Sequence, residues 1–298
     1  MSGTPRPTTL DEYIGQDRLK RRLDMAMLSA MTRGKPLPST LLLGPPGVGK
    51  TSLAYILANT MGEEIEDHIA ASVTINKLIE IVGDFQGVLF LDEIHGAPPK
   101  RQEALLPLLE DGYLMDARGE KIHARRLTIV AATTEGDKVI RPLYDRFMIR
   151  PPFEPYTRAQ MAEIVKQMAG FEGIVVEGDW ADEIGQAALG LPRYARALVE
   201  VARDLLTVTG ILPDPPQVLS EASVTPSGLT REHVRYLEIL KMNSGHAGLD
   251  LMRQLMGMPK GHIEFLEVDL IKQGMLARTK TGRELTREGT QLLREHGE

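Results

Sequence analysis

The chain has 298 residues, of which 42% are hydrophobic, enough apolar material for two or three cored domains. Its 41 acidic and 35 basic side chains leave a formal net charge of −6, which excludes a uniformly basic nucleic-acid coat. Cysteine is absent, no apolar run approaches the roughly 18 residues of a membrane span, and the start lacks a charged-then-apolar leader; a soluble, cytoplasmic protein without disulfides or a thiolate zinc site is expected.

Residues 1–10 read as an extended, proline-containing arm. Between Leu10 and Met31 the spacing of Leu19, Leu23, Met27 and Ala30 predicts a helix, ended by Gly34-Lys35-Pro36. Leu41-Leu42-Leu43 then reads as a buried strand and Ser52 to Ala58 as a helix, and between them stands Gly44-Pro45-Pro46-Gly47-Val48-Gly49-Lys50-Thr51. This is the G-x-x-x-x-G-K-[ST] phosphate loop in its required strand–loop–helix setting. Its glycines let backbone N–H groups turn toward the phosphates of a nucleoside triphosphate, with the positive end of the following helix behind them. Lys50 supplies a point charge, the Thr51 hydroxyl a ligand for Mg²⁺, and Ser52 continues the same turn. A glycine-rich turn that matches by chance would not carry these flanks.

Gly87-Val88-Leu89-Phe90-Leu91 is a continuous apolar run that ends in Asp92-Glu93, as in a parallel strand buried on both faces. Ligands of such sheets bind at the carboxyl ends of the strands. Asp92 is therefore assigned to the Mg²⁺ shell and Glu93 to polarising the attacking water. Two solvated acids capping a strand are the alternative, which the phosphate loop upstream disfavours. A further strand, Leu127 to Ala132, ends in Thr133-Thr134, and the strand–helix alternation up to about residue 150 predicts a parallel α/β domain. Thr157 to Gly170 and Trp180 to Thr209 are helical with no strand between them, which predicts a small helical domain. Ile211 to Gly228, with Pro213-Asp214-Pro215-Pro216, reads as a linker or long loop.

The last segment reads as a helix-turn-helix, Leu249–Met256 and Ile263–Gly274 about a turn at Gly257-Met258-Pro259, followed by a hairpin from Met275 to Leu285. Arg278, Lys280 and Arg283 are expected at the hairpin tip with Lys272 nearby, a wing that sets cations against a DNA backbone with little base specificity. The helices around it carry Glu264, Glu267 and Asp269, and a protein-docking module is the alternative. The expected domains are 1–154, an ATPase; 155–228, a helical lid with its linker; and 229–298, a winged helix.

The motif order resembles the AAA+ ATPases: the phosphate loop, Leu91-Asp92-Glu93-Ile94-His95, Ala132-Thr133-Thr134, Pro142-Leu143-Tyr144-Asp145-Arg146-Phe147 and Gly190-Leu191-Pro192-Arg193. Within them the chain is most similar to the RuvB family of Holliday-junction branch-migration motors. Arg6-Pro7-Thr8-Thr9-Leu10-Asp11-Glu12-Tyr13-Ile14-Gly15-Gln16, Gly248-Leu249-Asp250, Leu270 to Thr279 and Gly282-Arg283 carry that closer likeness. The resemblance implies a P-loop domain, a helical lid and a winged helix, with ATP and Mg²⁺ as cofactors and DNA as partner. It implies adenine contacts from Arg6, Pro7, Tyr13, Ile14 and Tyr156, and a hydroxyl sensor of the γ-phosphate at Thr134 or its neighbour Thr133. Arg146 corresponds to an arginine finger that acts on the nucleotide of an adjacent subunit, and hence to an oligomeric ring, a hexamer in the family. An ion pair with Asp145 is its bland alternative. Arg193, after Pro192, corresponds to a second sensor on the lid, with a helix-capping arginine as the alternative. His95 is expected to support its neighbours rather than to act as a base.

Two features depart from the family. The hairpin that docks on its junction-binding partner RuvA is here the shorter, more charged segment Gly112 to His123, turning at Arg118-Gly119-Glu120, which counts against a RuvA-like partner. Tyr144 stands where the family often has another arginine, and Gly96-Ala97-Pro98-Pro99 replaces an apolar continuation. An ATP-gated loader and a protein-remodelling adaptor stand beside the DNA motor as alternative functions.

Overall fold

The computed structural model describes residues 6–295, so the first half of the expected arm lies outside the described residues. Contacts along the chain separate two compact units, residues 1–160 with 191–193, and residues 161–190 with 194–298.

The first unit opens with α1 (Asp17–Thr32), β1 (Thr40–Leu43), α2 (Lys50–Met61), β2 (Ile65–Ile69), α3 (Ile75–Asp84) and β3 (Gly87–Asp92). It continues through α4 (Pro99–Ala104), α5 (Leu106–Asp111), the hairpin strands β4 (Tyr113–Met115) and β5 (Lys121–His123), β6 (Leu127–Thr133) and α6 (Arg141–Arg146). Four strands form a parallel sheet in the order β1-β6-β3-β2, and residues 149–152 bridge in parallel along the outer edge of β1. The apolar runs are continuous because both faces of the sheet are covered. Leu42, Val88, Phe90, Val130 and Ala132 pack with α1 and α2, whereas Leu41, Leu89, Leu91, Ile129 and Ala131 pack with α3 and the short helices. The expected parallel α/β architecture is therefore present.

This strand order positions the site. β6 lies between β1 and β3, with Thr133 level with Leu43 and Ala131 level with Leu91. The carboxyl ends of the three strands bring the phosphate loop, Thr133-Thr134 and Asp92-Glu93 side by side, where ligands of open parallel sheets bind.

The second unit takes in α7 (Arg158–Phe171), α8 (Trp180–Ala187), α9 (Pro192–Thr209) and α10 (Pro215–Ala222), apart from the helix-start residues that belong with the first. Helix α10 corrects the expected loop. Asp214 accepts the Gln217 N–H and the Gln217 side chain accepts the Asp214 N–H, a capping box, with Pro215 and Pro216 at the first helical positions. Proline lacks only an N–H that would be unpaired there, so the double proline starts a helix.

The winged helix follows as α11 (Arg231–Met242), β7 (His246–Ala247), α12 (Leu249–Met256), α13 (Lys260–Lys272), β8 (Leu276–Arg278), β9 (Arg283–Leu285) and α14 (Arg287–Glu295), with a three-stranded sheet in the order β7-β9-β8. Tyr236, Leu240, Met252, Ile263, Leu266 and Leu270 form its core. Inside that core His233 Nδ1 accepts from the Thr230 N–H at 3.1 Å, which leaves the proton on Nε2, facing Asp269 Oδ2 at 3.8 Å. Neither facing atom has a hydrogen-bond partner. Burial pushes the His233 pKa down to about 4, with Glu232 opposing and His262 assisting, and burial raises the Asp269 carboxyl against the pull of Lys272. The unfolded histidine takes up a proton near its ordinary value of 6.5, the folded one only near 4. The stability it contributes is therefore complete above the higher value and is lost as the pH falls between the two. Denaturant unfolding at pH 7 and about 4.5 should show wild type losing roughly 2–3 kcal/mol more than His233→Gln over that interval.

Candidate functional site

The phosphate loop turns between β1 and α2 on glycines that admit no side chain. Gly47 and Gly49 have φ of 81° and 101°, and a Cβ there would stand 2.7 Å from Arg193 Cβ and 2.5 Å from the Tyr13 hydroxyl. Lys50, 6% exposed, donates to the carbonyls of Gly44 at 2.7 Å and Pro45 at 3.0 Å. Burial lowers its ammonium pKa, with the charges of Glu93 and Asp92 opposing and that of Arg193 assisting. A buried ammonium held only by two neutral carbonyls in a backbone cradle fits a phosphate group. Pro46 and Val48 complete the loop, and Thr51 and Ser52 occupy the first turn of α2.

The arm and the segment after the sheet close around the base of this loop. Tyr13 and Tyr156 both donate their hydroxyls to the Val48 carbonyl, at 3.2 and 3.0 Å, and burial raises both phenols. The buried Gln16 side chain makes two bonds to the Glu154 backbone, 2.7 Å to its oxygen and 2.8 Å from its nitrogen. Ile14 is half-buried in the same segment. Pro7 is half-buried, and Arg6 lies over the Tyr55 ring of α2 at 5.1 Å. Arg193, just after Pro192 at the start of α9, donates its backbone N–H to the Gly47 carbonyl at 3.3 Å.

At the end of β3, Asp92 and Glu93 separate in role. Burial raises the Asp92 carboxyl; the Glu93 N–H on Oδ1 at 3.0 Å opposes the rise and the Glu93 charge adds to it. Glu93 itself sits at φ 49°, a left-handed conformation that turns its side chain out of the strand direction. Its Oε2 accepts from the Thr134 N–H and hydroxyl, both at 3.1 Å, and lies 3.1 Å from His95 Nδ1. Thr133 instead meets His95 Nδ1 at 2.9 Å, so of the two threonines Thr134 is the one on Glu93. His95 Nε2 lies 3.2 Å from Glu135, which pairs in turn with Lys138. The residue after Asp92-Glu93-Ile94 thus supports the carboxylate; Glu135 had no signal in the sequence beyond adjacency to a motif, and Gln16 stood in the entry segment with no role assigned.

Arg146 ends α6. Its Nε faces Glu110 Oε1 at 2.6 Å and its Nη1 donates to the Pro142 carbonyl at 2.8 Å. The expected alternative partner, Asp145, pairs with Arg141 at 2.7 Å and Arg150 at 3.6 Å, and those two arginines flank the Tyr144 ring.

In the winged helix the four cations divide. Arg278 and Arg283 are the last cross-strand pair before the turn of the wing, and both bind Glu267 of α13, whose side chain is 0% exposed. Tyr236 is the third partner of that carboxylate and donates its hydroxyl at 2.9 Å. Lys280 stands in the turn, and Lys272 is exposed at the end of α13. Glu267 and Asp269 point inward, so the outer face of α13 carries Phe265, Val268 and Ile271 rather than an acidic surface.

Fold and site together define a P-loop ATPase with a C-terminal winged helix. Two family models match: the Holliday junction DNA helicase RuvB P-loop domain over residues 5–152, and the RuvB C-terminal winged helix domain over residues 226–294. Among solved structures, the Thermotoga maritima RuvB Holliday junction branch migration motor is 30% identical, with 97% of this chain and 98% of that chain covered and a TM-score of 0.84. A single-substitution variant of that protein aligns at 30% identity over 97% and 99% with a TM-score of 0.86. The chain belongs to the RuvB family of Holliday junction DNA helicases and is an ATPase of the branch-migration type.

Proposed function

We propose that the chain hydrolyses ATP with Mg²⁺ in a ring of its own copies, hexameric as in the family, and drives junction or duplex DNA through that ring. The three functional segments are 1–154, 155–228 and 229–298, and the protein works in the cytoplasm. The observation that carries the reading is the pair of hydrogen bonds that Thr134 donates to Glu93, whose charge acts on Lys50. It holds the carboxylate in reach of the phosphate loop without neutralising it.

Each residue then has a task. Lys50 leaves the loop carbonyls for the β- and γ-phosphates, and the N–H groups from Gly47 to Ser52 line their cradle. Thr51 and Asp92 would hold Mg²⁺, which would supply charge neutralisation to the triphosphate. Glu93 orients the attacking water and accepts its proton, with Thr134 keeping the carboxylate aimed. Arg6, Pro7, Tyr13, Ile14 and Tyr156 form the adenine side, and Pro192 sets the start of the helix from which Arg193 reaches the γ-phosphate. Lys272 and Lys280 meet the DNA backbone, while Arg278 and Arg283 hold the wing in shape through Glu267. The hairpin turn Asp116-Ala117-Arg118-Gly119 carries no large apolar side chain, which supports work without a RuvA-like partner.

Steady-state ATPase rates with and without duplex, forked and four-way-junction DNA test this reading. Strong stimulation by junction or duplex DNA is expected, with Glu93→Gln retaining nucleotide binding and losing about two to four orders of magnitude in turnover. An ATPase indifferent to every DNA would leave the loader or adaptor function standing instead. No helix among the described residues is long and apolar enough to cross a membrane.

A further inference from the structure

The β4–β5 hairpin, too short to copy the family's docking element, has a face of its own. Tyr113 pairs with His123, Leu114 with Ile122 and Met115 with Lys121. Leu114 and Ile122 pack inward on the core, so the period of two sends Tyr113, Met115, Lys121 and His123 outward. The Ala124 N–H donates to the Gly112 carbonyl at 2.8 Å and Ala124 packs on the same core, which carries the alternation on to an exposed Arg125. The strand therefore presents Lys121 and His123 about 6.8 Å apart, twice the roughly 3.4 Å axial rise per phosphate of one DNA strand, and the exposed Arg125 follows in the bend just after it.

The row is preorganised and electrostatically open. The Lys121 ammonium lies 4.3 Å from the centre of the Tyr113 ring, and that ring stands 5.5 Å from His123. None of Lys121, His123 and Arg125 has a carboxylate partner among the described residues, whereas the next cation, Arg126, is paired with Glu63 at 3.1 Å. At the turn, Asp116 Oδ1 accepts the N–H groups of Arg118 and Glu120, both at 2.8 Å, which ties the nearest acid into the backbone and stiffens the tip. Cations at phosphate-like spacing beside an aromatic ring are the elements of a nucleic-acid groove. A protein partner of the apolar docking kind would find only Met115 there.

We propose that the outer face of the β4–β5 hairpin is a second DNA contact, in which Lys121 and Arg125 neutralise phosphates of one strand and Tyr113 lies against its sugars or bases. The inference rests on the DNA reading above and adds a contact from the ATPase unit to those of the wing. The test is the affinity of the full-length chain for a labelled duplex, and for a single strand of equal length, over a series of salt concentrations. The double variant Lys121→Ala with Arg125→Ala is compared with Lys280→Ala. If the face binds DNA, the slope of log affinity against log salt falls by about two for the double variant and by about one for Lys280→Ala, additively. Wild-type affinity and slope in the double variant would overturn the proposal while leaving the wing's contact in place. So would retained DNA binding with loss of a RuvA-like protein's binding, which would assign the face to protein. A wild-type chain that binds neither DNA would instead remove the DNA reading itself.

Discussion

Arg146→Ala will bind nucleotide as wild type does and turn it over about three to five orders of magnitude more slowly. The guanidinium is not committed to its own chain. It is held by Glu110, itself half-exposed, and by one carbonyl. An ion pair of that kind is worth no more than about 1 kcal/mol, so a neighbour's triphosphate can draw the side chain away at little cost. In the proposed finger role the arginine would gain charge stabilisation that grows in the transition state, so its loss should fall on turnover rather than on binding. Action between subunits has a separate signature. Arg146→Ala carries an intact loop, Lys50→Ala an intact finger, and each is inactive alone. In an equimolar random mixture about a quarter of head-to-tail interfaces join a good loop to a good finger, and activity should return to about that fraction. No recovery on mixing would place the arginine on its own subunit's nucleotide or outside the chemistry.

The nucleotide site was far more legible in the sequence than the winged helix, for a physical reason. Phosphate binding by a loop needs glycine at fixed offsets, then lysine and a hydroxyl, and a buried parallel strand must be apolar until it emerges. Gly44 to Thr51 and Gly87 to Glu93 therefore state both the chemistry and its place. The sensors were legible only as hydroxyl or guanidinium residues in motif order; that Thr134 rather than Thr133 faces Glu93 depends on the register between β3 and β6. Pro215 and Pro216 were read as breakers because their effect depends on position: the same residues that stop a helix interior begin one behind Asp214. In the wing, charge was visible but direction was not. Arg278, Arg283, Glu267 and Asp269 looked like surface charges of two signs, and only the pairing across β8 and β9 shows that the two arginines converge on a buried Glu267.

That interior cluster sets the second large effect. Glu267→Ala will destabilise the winged helix by about 3–5 kcal/mol, because it removes one partner of a buried pair and leaves the other charge uncompensated. The cost falls chiefly on Arg283, whose side chain is 14% exposed; Arg278, at 47%, can swing into water. Tyr236 loses its acceptor too, and its hydroxyl, already raised by burial and by the Glu267 charge, remains inside as an unpaired donor. Glu267→Leu combined with Arg283→Met should recover most of the loss, since apolar groups of similar volume need no partner. Acid gives the same answer with the sign fixed in advance. Burial alone would raise the Glu267 carboxyl, but the bonds from Arg283, Arg278 and Tyr236 outweigh it and hold the pKa below its ordinary 4.5. Its contribution is thus complete above that value and is lost as the pH falls through the lower, folded one. The His233 loss, which begins near 6.5, precedes it, so full-length protein followed by amide exchange in α13 and β9 should open in two acid steps. Glu267→Ala should abolish the second step and leave the first. A Glu267→Ala chain within about 1 kcal/mol of wild type, with both steps intact, would mean that the wing is held by its apolar core alone.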